Sequence, residues 1–179
     1  MEPSRTGNRW SLVTTILRTF QPAMYPGDER IVRDPPEQDW DAAEALRRLV
    51  GKTWEHLGIE MLEAPPDAML YHYHDVPGLL TPVAFAYYLP AFMLVSLDIS
   101  RADVIVDTTL YCLARDPFPS LNDQSRLRGA VWFDEMRSLL APEQRACVRM
   151  FLRYVREADP DSVDAVPGLW TLWTDSEAP

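Results

Sequence analysis

The feature that most constrains this chain is an apolar run from Val83 to Leu97 that contains no charged residue. The run is shorter than the roughly 20 residues that a membrane-spanning helix needs. It therefore predicts a buried helix, kinked or split at Pro90, because proline has no backbone N–H to donate. Since the run lacks a polar face, we expect it to pack on both sides at the centre of one core.

The remaining hydrophobic patterns predict a mainly α single domain, an irregular multi-helix bundle with little or no strand. The N-terminal and final helices are expected to pack against the central segment. The predicted helices run from an Asn8 cap to about Gln21, from Asp34–Glu37 to Val50, over 52–62, from a Ser100 cap onward, over Val131–Leu140 and from Pro142. Short strands near Met69–Tyr73 and at Val104–Val106 remain alternatives.

The first two helices are expected to turn different sets of apolar residues inward. These sets are Trp10, Val13, Leu17 and Phe20, widened by Leu12 and Ile16, in the first helix, and Trp40, Ala43, Leu46 and Val50 in the second. The domain organisation predicted from the sequence is a flexible N-terminus over 1–7, one helical domain over 8–158 and a loosely ordered acidic tail over 159–179.

The charge balance bears on the class of partner. With 27 acidic and 17 basic residues the formal net charge is −10. Such a field repels nucleic-acid backbones and steers basic proteins toward the chain. Only Cys112 and Cys147 are present, which argues against a disulfide framework. The N-terminus does not resemble a signal peptide, so a cytoplasmic location with no membrane association is expected.

The three histidines, His56, His72 and His74, are the only metal candidates of nitrogen type. In an extended segment His72 and His74 would project to the same side, where His56 and Asp75 could complete a metal shell. The His-x-His spacing is also common at ordinary surfaces, and no cofactor is expected. A small enzyme or metal-binding protein built on His72 and His74 is therefore kept as an alternative.

Known catalytic motifs give little support for an enzyme. Gly51-Lys52-Thr53 is similar to the end of a phosphate-binding loop, but Leu46 stands where the motif needs a glycine, and a helix precedes it instead of a strand. Nucleophile-elbow, zinc-protease and dinucleotide-binding motifs are also missing from the sequence. No catalytic residue is assigned.

Two groups of residues are candidates for contacting a partner. Arg145, Arg149 and Arg153, followed by Arg156, recur at helical spacing and share one flank of the final helix. Their guanidinium groups suit carboxylate or phosphate ligands, although such a row is also typical of a solvated helix face. Trp170 and Trp173 in the acidic tail are large aromatic side chains of the kind enriched at binding hot spots.

Several segments together resemble an uncharacterised bacterial family known as domain of unknown function 6714. The likeness is carried by Gly51–Trp54, by Leu79–Pro82 running into Tyr87–Met93, and by Leu139–Gln144 leading to Phe151–Tyr154. It would span roughly Trp10 to Tyr154. One departure is Ala141, where a capping Ser or Thr is expected ahead of Pro142. The resemblance implies no reaction and transfers no functional residue.

These observations favour a non-enzymatic protein that binds another protein, in the manner of an immunity protein or antitoxin that neutralises a bacterial toxin. The expected partner is a protein with a basic surface, such as a secreted toxin. Besides the enzyme or metal protein above, a regulatory or scaffold subunit that forms a homodimer is the remaining alternative.

Overall fold

The computed structural model describes residues 5–21, 23–65, 73–116 and 122–174. Within these ranges the chain folds into ten α-helices and one 3-10 turn, Asp28–Arg30, with a single isolated antiparallel bridge between Val32 and Leu80. The helices are α1 Arg5–Thr19, α2 Trp40–Leu49, α3 Trp54–Glu63, α4 Val76–Leu79, α5 Pro82–Ser96, α6 Ile99–Cys112, α7 Asp123–Leu139, α8 Pro142–Ala158, α9 Pro160–Asp164 and α10 Leu169–Thr174.

The predicted mainly α, multi-helix class is confirmed by these elements. The β-branched segment Val104–Val106 lies inside α6, so helix prevails over the strand alternative there. The other strand alternative, near Met69–Tyr73, lies outside the described residues except for Tyr73.

Helix α5 is the apolar run, and it occupies the centre of the core. Thr81 caps it by accepting a hydrogen bond from the Ala84 amide at 3.2 Å, and Pro82 fills the first helical position. The helix continues through Pro90 without being split. Its nearest neighbours are α3, α6 and α7, whereas the long helix α8 packs against α1 and α9. The predicted partnership with the N-terminal and final helices is therefore only partly right.

The buried face of α2 differs from the predicted one, and that of α1 differs in part. Among the described side chains of α1 the buried residues are Leu12 and Ile16, both in the predicted set, and the predicted Phe20 is buried just after the helix, while Trp10 is 67% exposed. In α2 they are Ala42, Ala45 and Leu49, and Trp40 is 73% exposed. Both predictions placed a tryptophan on the inward face, but Trp10 and Trp40 lie beside the apolar stripes through which these helices pack.

Three helices also begin at residues other than the predicted ones, and in two cases the reason is a different capping residue. Helix α2 begins after Asp39, whose carboxylate accepts from the amides of Asp41 and Ala42, and not at Asp34–Glu37. Helix α7 begins after Asn122 and is much longer than the predicted Val131–Leu140. Helix α6 begins at Ile99, so its predicted cap, Ser100, lies inside the helix. The predicted start at Pro142 is confirmed.

At both ends of the chain, helices extend beyond the predicted helical domain of residues 8–158. Residues 160–174, predicted to be a loose tail, form α9 and α10, which pack against α8 and bury Val163, Leu169 and Trp173. Trp173 is only 1% exposed, and its indole N–H donates to the Leu113 carbonyl at 2.9 Å. The tail prediction was wrong over this range, because its spaced apolar residues cover the core. Helix α1 already includes residues 5–7, which were predicted to be flexible.

Candidate functional site

An open groove of about 1020 Å³ lies between residues 33–41, α4, the end of α6 and the first half of α7. Its lining combines charged groups with the apolar side chains of Leu79, Tyr111 and Trp132. The charged members are four arginines and four aspartates: Arg33, Arg115, Arg126, Arg128, Asp34, Asp41, Asp75 and Asp116. The volume is at the upper end of the roughly 300–1,000 Å³ typical of small-molecule sites. It is large enough for a segment of polypeptide.

One wall of the groove is the first half of α7, and local contacts hold it in place. The Asn122 side chain caps the helix by accepting from the Ser125 amide at 2.9 Å. Trp132 donates its indole N–H to the Leu80 carbonyl at 3.0 Å, and its ring meets Phe85 edge-on with 5.3 Å between centroids. Because both ends of this half-helix are anchored, the wall is preorganised.

The opposite wall consists of the segment that contains Arg33 and the residues before α5. The Arg33 amide donates to the Leu79 carbonyl at 3.0 Å, and the Thr81 amide donates to the Ile31 carbonyl at 3.0 Å. The Arg33 guanidinium also donates to the Gly78 carbonyl. These contacts hold the Arg33 head at the groove.

Gly129 occupies an unusual place on the α7 wall. It lies four residues before Phe133 and seven before Met136, on the face that α7 buries farther along. Yet Gly129 is exposed, and a Cβ added to it would meet no atom of the described residues within 4 Å. Glycine inside a helix costs about 1 kcal/mol relative to alanine. No steric contact within the structure requires glycine here, so the residue leaves open space in the groove.

Two of the groove arginines already have carboxylate partners. Arg126 donates from Nε to Asp116 at 3.0 Å, and Arg115 donates to both carboxylate oxygens of Asp134, at 3.0 Å from Nε and 2.9 Å from Nη2. Hydrogen bonding by these guanidinium groups lowers the pKa of Asp116 and of Asp134. Both pairs are exposed enough to contribute little stability. Asp134 thereby acts as the ion-pair partner of Arg115.

Four other charges on the lining are not neutralised. Among the described residues, no ion pair involves Arg33, Arg128, Asp34 or Asp41. Arg128 donates only to the Ser125 hydroxyl, at 3.2 Å. The groove therefore offers an occupant two guanidinium groups and two carboxylates without an ion-pair partner, and Asp75 adds a third carboxylate, whose partner is the His74 ring.

Cys112 also belongs to the groove lining, and the chemistry of its thiol is limited by burial. Removal from water raises its pKa to about 12, although the nearby Arg33 charge partly opposes this shift. Burial likewise raises the pKa of Cys147, to about 11. Since the thiolate is the nucleophilic form, both thiols stay protonated and weakly reactive at neutral pH.

The histidines of the alternative metal site are not grouped with further ligands among the described residues. His56 is exposed on α3, and the ring of His74 lies 2.7 Å from an Asp75 carboxylate oxygen. His72 is outside the described ranges. Within those ranges no three His, Cys, Asp or Glu side chains are grouped closely enough to hold a metal ion.

The residues predicted to contact a partner have structural roles in part. Arg145 donates to the Leu140 carbonyl at 2.8 Å, and Arg156 lies 3.4 Å from Asp164 and stacks on Trp170 at 4.9 Å. Trp170 is half-buried and Trp173 is in the core, so Trp173 is not available as a partner contact. Arg149 is half-buried and Arg153 is exposed on α8. None of these residues lines the groove.

The phosphate-loop likeness of Gly51-Lys52-Thr53 also has a structural explanation. Gly51 has a positive φ of 69°, which suits the turn between α2 and α3. The buried Tyr88 hydroxyl lies 3.0 Å from the Leu49 carbonyl and 2.9 Å from that of Lys52. The Lys52 ammonium pairs with Glu60, and Thr53 caps α3. The segment is therefore a turn between α2 and α3 that the Tyr88 hydroxyl holds by hydrogen bonds to its carbonyl groups.

Sequence reasoning missed the groove, although one signal for it was present. A glycine in the stretch Arg126–Gly129, inside a helix that begins at a good capping residue, is a local conflict between helix stability and sequence. Reading Asn122 as a cap would have placed Arg126, Arg128 and Gly129 together on one helix. Arg33 and Asp41 gave no such signal, since only the folded chain brings them to α7.

Of the comparisons with known proteins, one gives a match. No curated protein and no solved structure gives a significant match to the chain. In the part of the chain that the structure describes, no helix is both long and apolar enough to cross a membrane. A family model described as "Family of unknown function (DUF6714)" matches residues 33–177. This range starts later than the predicted Trp10 and extends past Tyr154, so it includes every groove residue as well as α9 and α10. The chain therefore belongs to the DUF6714 family.

Proposed function

We propose that this protein binds another protein, and that the groove between residues 33–41 and α7 holds a segment of that partner. The observation that carries the proposal is the open space at Gly129 in a groove with apolar side chains and four unneutralised charges. A glycine that weakens its own helix without steric need is expected where another backbone approaches closely.

The composition of the lining supports a protein partner. Tyr111 and Trp132 provide half-buried aromatic surface, which is enriched at protein interfaces together with arginine. Because both walls are anchored before binding, little binding free energy is spent on ordering them when a partner binds.

The biological role we propose is neutralisation of a bacterial toxin in the cytoplasm, as an immunity protein or antitoxin. The net charge of −10 would steer a partner with a basic surface toward the chain. Both cysteines are free thiols, which suits a reducing compartment.

Affinity capture from the native host tests the proposal with matched baits. Gly129→Leu would fill the open space with a side chain that a helix tolerates well. Gly58→Ala is the control, because its added Cβ would make ordinary contacts of 3.7 Å with Ala91, away from the groove. We expect the wild-type and Gly58→Ala baits to retain one stoichiometric protein and Gly129→Leu to lose it. Recovery of no stoichiometric protein by the wild type, or equal recovery by all three baits, would contradict the proposal.

A further inference from the structure

The charges that the groove leaves unneutralised identify the chemistry of its occupant. On one wall Arg33 is followed directly by Asp34, with Asp41 at the first turn of α2. On the other wall Arg128 projects from α7. Positive and negative groups therefore occur together along one groove.

Arg33 and Arg128 are the guanidinium groups that remain able to bind a carboxylate. The Arg33 head is held at the Gly78 carbonyl, and its charge acts on the Cys112 thiol in the groove lining. Arg128 makes one long hydrogen bond to a hydroxyl. By contrast, Arg115 and Arg126 are already engaged by Asp134 and Asp116. Guanidinium forks match the geometry of a carboxylate.

Asp34 and Asp41 supply the opposite charge. Both carboxylates are exposed, and neither has a cationic partner among the described residues. A purely acidic occupant would be repelled by these two groups, and a purely basic one by Arg33 and Arg128.

We infer that the groove binds an extended protein segment carrying both acidic and basic side chains, with carboxylates on Arg33 and Arg128 and a cation on Asp34 and Asp41. The inference rests on the proposed function, since it names the chemistry of the partner segment. The main chain of the segment crosses the open space at Gly129, where no side chain of the described residues obstructs it.

Fluorescence anisotropy with four labelled synthetic peptides of equal length tests the inference on the full chain. One peptide alternates Glu and Lys between alanines, one carries only Glu, one only Lys, and one only Gln at those positions. The mixed peptide should bind tightest, by about tenfold over the Gln peptide at low salt, and less so as salt screens the charges. Tightest binding by another peptide, or binding by none of the four, overturns the inference.

Charge reversal at Arg128 sharpens the test. Arg128→Glu should weaken the mixed peptide by about tenfold and strengthen the Lys-only peptide, because a like charge replaces an attractive one. Arg153→Glu is the control, since Arg153 is exposed on α8 outside the groove, and it should change neither affinity. Equal effects of the two substitutions would overturn the inference.

The peptide and capture experiments can fail separately. A host partner lost by Gly129→Leu but unaffected by Arg128→Glu would leave the proposed function standing and overturn the inference about charge. Tight binding of the mixed peptide with no groove-dependent host partner would support the inference and contradict the proposed function.

Discussion

The two halves of α7 follow the same helical register but meet different surroundings. In the second half Phe133 and Met136 are buried, with Phe133 edge-on to Trp173 at 6.2 Å between ring centroids. In the first half Gly129, on that same face, opens into the groove. The difference lies in what covers the helix, because α10 brings Trp173 to the second half and no described element fills the space beside Gly129.

This contrast shows that a helix face facing inward is not necessarily core. The second half contributes stability through buried apolar surface, whereas the first half has a glycine and exposed charged groups where packing would be expected. A substitution at Gly129 should thus raise stability and lower binding, whereas one at Phe133 or Met136 should lower both.

The largest effect is expected at the residue that covers the second half. Trp173→Ala removes a fully buried ring and its hydrogen bond to Leu113, so it should lower the free energy of unfolding by about 3–5 kcal/mol. Denaturant unfolding measures the loss. Trp10→Ala, at a 67% exposed position, is the matched control and should change stability by about 0.5 kcal/mol or less. Equal losses of unfolding free energy for Trp173→Ala and Trp10→Ala would show that α10 is not part of the core.

In the first half of α7 a substitution at Gly129 should raise the stability of the fold instead of lowering it. Gly129→Ala should raise the free energy of unfolding by about 1 kcal/mol, since it adds helix propensity where a Cβ meets no atom of the described residues within 4 Å. Gly58→Ala should raise it by a similar amount, about 0.5–1 kcal/mol, in α3. A destabilised Gly129→Ala protein would mean that the space beside α7 is filled, and the contrast between its halves would fail.

Capping offers a smaller test of the groove wall. Asn122→Ala removes the side-chain acceptor of the Ser125 amide and should lower the free energy of unfolding by about 1 kcal/mol, with fraying that starts in the first half of α7.

A capping residue can instead be added to α8, because Ala141 has no side chain that could cap this helix. Ala141→Ser should gain roughly 0.5–1 kcal/mol and complete a capping box, since Gln144 already accepts from the Ala141 amide. Thermal unfolding checks both, and a neutral Asn122→Ala would show that the wall does not depend on its cap.

The smallest effect concerns the paired arginines of the groove. Arg126 and Arg115 lower the pKa of Asp116 and of Asp134 below the ordinary value of 3.8. A carboxyl whose pKa is lower in the folded state stabilises the fold above that ordinary value and loses this contribution as pH falls through the lowered one. Stability should therefore decline on acidification below about pH 4. The double variant Asp116→Asn with Asp134→Asn should show a shallower decline in denaturant titrations across that range.

The sequence predicted the helical class and the central apolar helix, because a run without polar residues permits few alternatives. It also located α8, whose apolar face from Cys147 to Val155 is regular. It misplaced the inward faces at Trp10 and Trp40, since large aromatic residues can remain exposed when a neighbouring stripe packs. The groove escaped prediction because it joins residues 33–41 to residues 125–132, and long-range juxtaposition leaves no local pattern.

Hydrogen exchange with and without the captured partner tests the central claim most directly. The account predicts that the partner slows amide exchange in residues 123–132, the half of α7 that lines the groove, and in the segment around Arg33. Residues 133–139, where Phe133 and Met136 are already buried in the core, should change little. Slowed exchange on α1 or α8 with none in residues 123–132 would contradict the assignment of the groove as the binding site.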